Sequence, residues 1–202
     1  MPVVSRAAIG FSSHLGWAAA VGVAGTKSAP RFVLRKRVLL SNKVHESHEP
    51  YHKAALVRDD LPRAKEIVRR GTRAIEACAR SEVAQMTRNL EKDGHRIVGA
   101  GVLQAGGREM KFESILASHV MVHTAEGALM RAALAKAFSR NDLPVLAIKE
   151  RELFARASER LKLSEKLLRN KVNELGTGIG PPWGSDQKNA ALIAWLALCG
   201  MK

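Results

Sequence analysis

The stretch VVSRAAIGFSSHLGWAAAVGV, residues 3–23, decides the fold class because it contains two β-prone runs divided by a short polar break. The runs are Val3 to Phe11 and Leu15 to Val23, and the break, Ser12 to His14, has the length of a hairpin turn. The basic segment Arg31 to Leu40 follows with the pattern of an edge strand. The sequence therefore predicts three antiparallel strands in a row.

The hydrophobic period changes from two to 3.6 after Pro62. From there to Gly94, apolar residues keep to one helical face and basic residues line much of the rest, which predicts a long amphipathic helix. His95 to Leu103 then reads as a short buried strand. A second helix is predicted to run to about Arg140, before a last short strand at Val145 to Ile148.

The rest of the chain is predicted to be helical. The expected helices are Glu150 to Leu161, Ser164 to Leu175 and Ser185 to Cys199, and the last is apolar on every side, so it should be buried. Residues 1–202 are thus expected to form a single α/β domain, with a mixed five-stranded sheet, flanking helices and a helical C-terminal part.

The charge balance favours a polyanionic partner. Lysine and arginine number 33 against 19 acidic residues, which leaves a net charge of +14. DNA or RNA is the expected partner, although a basic protein with no nucleic-acid role stays open. The candidate nucleic-acid-binding residues are Arg35, Lys36, Arg37, Arg69, Arg73 and Lys188.

Cysteine usage and the N-terminal segment point to the cytoplasm. Cys78 and Cys199 lie in apolar helical contexts and read as small buried residues without a disulfide. The N-terminal segment is interrupted by polar residues and glycines, which predicts neither a membrane span nor a signal peptide. We expect a cytoplasmic protein with no membrane contact, and a homodimer is left open.

The segment SHVMVHTAEGALMR, residues 118–131, is the leading candidate for a site. His119, His123 and Glu126 are spaced by four and three residues, so they share one face of a helix. Two imidazoles and a carboxylate in this arrangement favour a metal or proton-transfer site. In the structural alternative, one histidine hydrogen-bonds within the core while Glu126 pairs with a cation such as Arg131 or Lys188.

A second histidine-rich segment is HESHEPYH, residues 45–52. It contains His45, His48 and His52 among two glutamates, a composition that occurs in metal sites and also in solvated loops. We favour the interpretation that Tyr51 and His52 pack this segment onto the domain.

The predicted element order, together with two motifs, resembles the ribonuclease H-like fold. The motifs are AIGFSSHLGWAAAV, residues 8–21, and GPPWGSDQKNAALIAW, residues 180–195. They are similar to segments of the RuvC-type Holliday-junction resolvases. The segments HTAEG and GPPW also look like those of a group of bacterial proteins without an assigned activity.

The resemblance implies a nuclease site in which carboxylates from the first strand, the fourth strand and the last helix hold two divalent ions. This chain has Ser12 or Ser13 at the first position and Leu103 or Gln104 at the second, and Asp186 alone matches. Any chemistry would then use other residues. We expect His119, His123, Glu126 and Asp186 to converge on a Mg²⁺ or Mn²⁺ ion, with Glu126, Asp186 and His123 as the catalytic set.

The resulting hypothesis is a RuvC-like nucleic-acid-binding protein with a metal-dependent nuclease site of non-standard composition. One alternative is a catalytically inactive ribonuclease H-like scaffold or interaction protein. Another is a metal-binding enzyme of the actin-like fold, because His119 and His123 are similar to the HxxxH pair of the threonylcarbamoyl-transfer enzymes.

Overall fold

A computed structural model describes residues 4–41, 47–106, 110–140 and 142–200. Within them the sheet is built from β1 (Ser5–His14), β2 (Trp17–Gly25), β3 (Pro30–Leu39), β4 (His95–Gln104) and β5 (Val145–Lys149). The helices are α1 (Pro50–Ala55), α2 (Leu61–Lys92), α3 (Phe112–Leu116), α4 (His119–Ser139), α5 (Leu153–Leu161), α6 (Glu165–Leu175) and α7 (Ser185–Leu198).

The strands form one mixed sheet in the order β3-β2-β1-β4-β5. The first three strands pair antiparallel, whereas β4 pairs parallel with both β1 and β5. The predicted mixed five-stranded sheet is therefore confirmed. Parallel pairing brings the carboxyl ends of β1, β4 and β5 to the same end of the sheet, where Phe11 pairs with Val102 and Gln104 with Lys149.

Helices cover both faces of the sheet because the strand side chains alternate between two cores. On one face, Ile9 and Phe11 of β1 pack against the apolar sides of α2 and α4. On the other face, Ala8 packs with α5, α6 and α7. The last helix, α7, is buried on all sides from Ala190 to Leu198, as its sequence predicted.

The close contact between α7 and the sheet depends on strand glycines. A Cβ atom on Gly10 would lie 2.7 Å from the Ala194 nitrogen and still nearer to the Ala190 carbonyl oxygen. At Gly101 of β4, a Cβ atom would lie 2.8 Å from the Ile193 carbonyl oxygen. The missing side chains let the helix backbone approach the sheet directly.

The prediction of a hairpin turn at Ser12 to His14 was wrong. The turn lies at Leu15 and Gly16, where Gly16 adopts a φ of 79° that glycine tolerates at little cost. Ser12 to His14 therefore belong to β1, which carries their side chains to the carboxyl end of the strand.

Two short helices and one boundary also differ from the prediction. The polar connection after Ser41 contains α1, and α3 precedes the histidine-bearing helix. The helix expected to start at Glu150 starts with a 3-10 turn, Glu150–Glu152, before α5. Residues 42–46 and 107–109 and Asn141 lie outside the described residues, and with them His45 and part of two predicted loops.

Cys78 and Cys199 are both free thiols, but each is half-buried, whereas the sequence predicted buried residues. Among the described residues, no helix combines the length and the apolar character that crossing a membrane would require.

Candidate functional site

Three imidazoles from two helices meet at the surface of the α1–α4 layer, and we call them the tri-histidine cluster: His52, His119 and His123. His52 comes from α1, and His119 and His123 lie one turn apart at the start of α4. One potential ligand atom from each residue lies within 4.8 Å of the other two. Within the described ranges, this is the group of three or more histidine, cysteine or acidic residues that fits one metal ion.

The rings of the tri-histidine cluster are arranged edge to face. The centroid of the His123 ring lies 4.5 Å from that of His52 and 4.4 Å from that of His119. The Nε2 atoms of His119 and His123 are 3.2 Å apart. Both α4 histidines are exposed and His52 is half-buried, so the cluster is open to solvent on one side.

Glu126 lies beneath the cluster in the buried stripe of α4 and is fully inaccessible to solvent. Its Oε1 atom accepts hydrogen bonds from the backbone N–H groups of Tyr51, at 2.7 Å, and His52, at 3.3 Å. These donors belong to the first turn of α1, whose N-cap residue, Glu49, provides no side-chain bond. Glu126 therefore caps α1 from the neighbouring helix.

The same carboxylate oxygen also lies 3.4 Å from Nδ1 of His52. Burial raises the pKa of Glu126 above its usual value, and the bonds from the His52 and Tyr51 backbones and from the His52 ring oppose that rise. Burial, followed by the charge of Glu126, raises the pKa of Tyr51. Glu126 is thus a buried group that joins α1, α4 and one ring of the tri-histidine cluster.

The four residues expected to converge on a metal are divided between two places. His119 and His123 lie together, but the carboxylate of Glu126 points to α1 and is not part of the tri-histidine cluster. Asp186 bonds to residues of β1. The third imidazole of the tri-histidine cluster comes from His52 of the HESHEPYH segment. The interpretation favoured from the sequence gave His52 a packing role.

Asp186 belongs to a second group at the carboxyl end of β1, which we call the strand-end group: Ser12, His14, Trp17, Arg37 and Asp186. The Oδ1 atom of Asp186 lies 3.3 Å from the Ser12 hydroxyl, which donates to it, and 2.9 Å from Nε2 of His14. Asp186 is in the first turn of α7, where the free amides and the helix dipole favour a carboxylate.

An aromatic stack extends the strand-end group outward. The His14 ring stacks on Trp17 with a centroid separation of 4.5 Å and an interplanar angle of 16°. The Arg37 guanidinium lies 3.9 Å from the centre of the Trp17 ring. His14 and Arg37 are exposed, so this end of the sheet presents a row of flat, partly cationic groups.

The strand-end residues do not fit the two-ion site that the resemblance implies. Ser12, one of the two serines at the place of the first-strand carboxylate, points to Asp186, and β4 ends with Leu103 and Gln104, which are both neutral. Mg²⁺ and Mn²⁺ prefer carboxylate oxygens, and Oδ1 of Asp186 already has two partners of its own. One turn further along α7, Asn189 donates to Glu150, the first residue after β5.

Most of the predicted nucleic-acid-binding residues have partners within the chain. Arg35 donates to the carbonyl oxygens of Gly180 and Pro182, which holds the loop before α7. Lys36 pairs with Glu82 at 2.7 Å. Arg69 pairs with Glu66 on the same helix, Arg73 is exposed on α2, and Lys188 is half-buried on α7.

Sequence reasoning missed two contributors to these sites. His14 and Trp17 were assigned to a turn and a strand, although a histidine and a tryptophan flanking a tight turn are a usable signal for stacking across it. Trp183 and Trp195, by contrast, anchor neighbouring segments through hydrogen bonds. Their indole N–H groups donate to the carbonyl oxygens of Val172 and Lys27.

Comparison with known proteins identifies the fold. No family model and no curated protein matches the sequence. The structure is similar to that of Thermus thermophilus RuvC, with a TM-score of 0.54, 13% identity, and coverage of 95% of this chain and 93% of that one. It is also similar to T. thermophilus RuvC in complex with a Holliday junction substrate, with a TM-score of 0.54, 12% identity, and coverage of 96% and 93%. The chain therefore has a ribonuclease H-like fold of the RuvC type, and the resemblance inferred from element order is confirmed at the level of the fold.

Proposed function

We propose that this chain, a RuvC-type fold with a net charge of +14, binds nucleic acid, and that branched DNA is the substrate to test first. The observation that carries the proposal is this charge on this fold, since one similar structure is a complex with a Holliday junction substrate. A large basic excess attracts phosphate backbones whatever their sequence.

The exposed side of α2 supplies a suitable surface. Arg69, Arg73 and Arg80 are exposed there, and their spacing of four and seven residues places them on one stripe of the helix. At about 1.5 Å per residue, the stripe is about 16 Å long, enough to contact several phosphates. Arg69 is held by Glu66, which leaves Arg73 and Arg80 as the residues best placed to reach a backbone.

The strand-end group could add base contacts. Aromatic rings and guanidinium planes stack on unpaired bases with little sequence preference. The exposed His14 ring, Trp17 and Arg37 form such a stack at the carboxyl end of β1. We propose that unpaired bases at a junction contact this end of the sheet while the duplex arms follow α2.

A metal-dependent nuclease with a non-standard site is the second candidate. Two observations favour it: Asp186 is partly accessible beside Ser12 and His14, and the tri-histidine cluster is able to hold an ion. Of the set expected from the sequence (Glu126, Asp186 and His123), Asp186 would be the catalytic residue, with Mg²⁺ or Mn²⁺ as the ion, because Glu126 is buried against α1 and His123 belongs to the tri-histidine cluster. The experiment must distinguish this nuclease from two other outcomes. One is a protein that binds nucleic acid without cleaving it, and the other is a scaffold that neither binds nor cleaves nucleic acid.

Binding is tested by electrophoretic shift of four-way junction and duplex DNA at several salt concentrations. For the double variant Arg73→Gln/Arg80→Gln, we expect weaker binding. The logarithm of its binding constant should also fall less steeply with the logarithm of the salt concentration, by the amount expected for the loss of about two phosphate contacts. The matched control is Arg151→Gln/Arg156→Gln, which removes the same charge from exposed residues on the opposite helical layer.

The binding proposal is contradicted if wild-type protein shifts neither DNA at low salt. If both double variants lose the same amount of binding, the attraction is non-specific and the α2 surface is not the site.

Cleavage is tested on the same substrates with Mg²⁺ or Mn²⁺ and with the Asp186→Asn variant. If the nuclease candidate holds, Asp186→Asn should abolish metal-dependent cleavage and leave the salt-sensitive shift unchanged, because the phosphate attraction comes from the basic surface. Intact DNA in the presence of either ion would leave the chain as a binding protein without this activity.

A further inference from the structure

We propose that His52, His119 and His123 bind one zinc ion, with a coordination position left open to solvent. The proposal goes beyond nucleic-acid binding and does not depend on it. It differs from the sequence-based expectation in its ligands, which include His52 and omit Glu126 and Asp186. It also differs in the class of metal.

The nitrogens of His119 and His123 have the spacing that a tetrahedral ion requires, and a nitrogen of His52 lies near them. With Zn–N bonds of about 2.0–2.1 Å, two ligand nitrogens of a tetrahedral site lie about 3.3 Å apart. The Nε2 atoms of His119 and His123 are 3.2 Å apart. The third imidazole lies with its ring centroid 4.5 Å from that of His123, and one nitrogen from each ring falls within 4.8 Å of the others.

Glu126 orients the third ligand. Its Oε1 atom lies 3.4 Å from Nδ1 of His52, which leaves Nε2 of that ring for a metal. The backbone N–H of His52 donates to the same oxygen, so the residue is tied to Glu126 at two points. A carboxylate behind a histidine ligand fixes the tautomer and makes the imidazole a stronger donor. Glu126 is fully buried, and among the described residues its other oxygen, Oε2, has no hydrogen-bond partner.

The donor set selects the class of metal. Imidazole nitrogens suit zinc and the later transition metals, whereas Mg²⁺ and Ca²⁺ prefer oxygen ligands. Three histidines leave the fourth position of a tetrahedral ion for water or a substrate atom. Since His119 and His123 are exposed, that position faces solvent and an ion can enter directly.

The site would also join two helices. His52 is on the six-residue α1, and the other two ligands are on α4. An ion bound to all three would add a link between these helices in the folded state, and a ligand that binds only the folded state stabilises it.

The test is a titration of untagged, metal-free protein with Zn²⁺ followed by calorimetry, and with Co²⁺ followed by visible absorption. We expect one ion per chain, the intense bands of four-coordinate Co²⁺, and a higher melting temperature with Zn²⁺. His52→Ala, His119→Ala and His123→Ala should each lower zinc affinity at least tenfold and remove most of the zinc-dependent rise in melting temperature. Glu126→Gln should lower the affinity about 10- to 100-fold.

His48→Ala is the matched control because His48 lies on the same segment as His52 but outside the tri-histidine cluster. It should bind zinc as wild type does. The proposal is overturned if wild type binds no ion, or if the three cluster variants bind as tightly as His48→Ala. Because the rings of His119 and His123 are exposed, we expect the His119→Ala and His123→Ala variants to fold as wild type does. All of these measurements are made without nucleic acid. A negative result would therefore contradict the zinc site without bearing on the proposal that the chain binds DNA.

Discussion

Replacing Glu126 by alanine is expected to lower the free energy of unfolding by about 2–4 kcal/mol, because two half-buried backbone donors lose their acceptor. The donors are the N–H groups of Tyr51 and His52 in the first turn of α1. Removing the side chain also leaves a cavity in the buried stripe of α4. Urea denaturation with a linear extrapolation measures the loss directly.

Two further variants separate the causes of that loss. Glu126→Gln keeps an acceptor oxygen and the side-chain volume, so we expect it to lose only about 1 kcal/mol. Glu159→Ala, an exposed glutamate on α5, should be within about 0.5 kcal/mol of wild type. Equal stability of Glu126→Ala and wild type would show that α1 is not capped by this residue.

Replacing Gly10 by alanine should destabilise the fold by about 3 kcal/mol or more, because the added methyl group would overlap the backbone of α7. Its Cβ atom would lie 2.7 Å from the Ala194 nitrogen and 2.8 Å from Cγ2 of Ile193. Backbone atoms of a buried helix are unable to move aside individually, so α7 would have to shift from the sheet. The shift would move Asp186 away from Ser12 as well.

Gly106→Ala is the control for Gly10→Ala. Gly106 follows β4, a Cβ atom added to it would meet no atom of the described residues within 4 Å, and its φ is not in the left-handed region. We expect its midpoint of thermal unfolding to match that of wild type within about 2 °C. Similar melting temperatures for Gly10→Ala and Gly106→Ala would mean that α7 tolerates a wider separation from the sheet.

Much of the fold could be predicted because its signals are local. The period-2 runs before Arg31 and the period-3.6 pattern after Pro62 identify strands and helices through the side of each element that must be buried. The apolar sequence from Ala190 to Leu198 likewise indicates that the last helix is enclosed. The hairpin boundary was misplaced because Ser12 and Ser13 resemble turn residues, whereas Gly16 provides the positive φ that the turn needs.

The sequence by itself determined the order of the strands and the longer helices, although not the short helices α1 and α3. It also determined the pairing of His119 with His123, since residues four apart on a helix are neighbours whatever surrounds them. Only the tertiary structure decided which residues join that pair. Packing of α1 against α4 adds His52 and turns Glu126 into a buried cap, and packing of α7 against β1 assigns Asp186 to Ser12 and His14. Contacts between segments distant along the chain follow from how whole elements pack, and no local period encodes them.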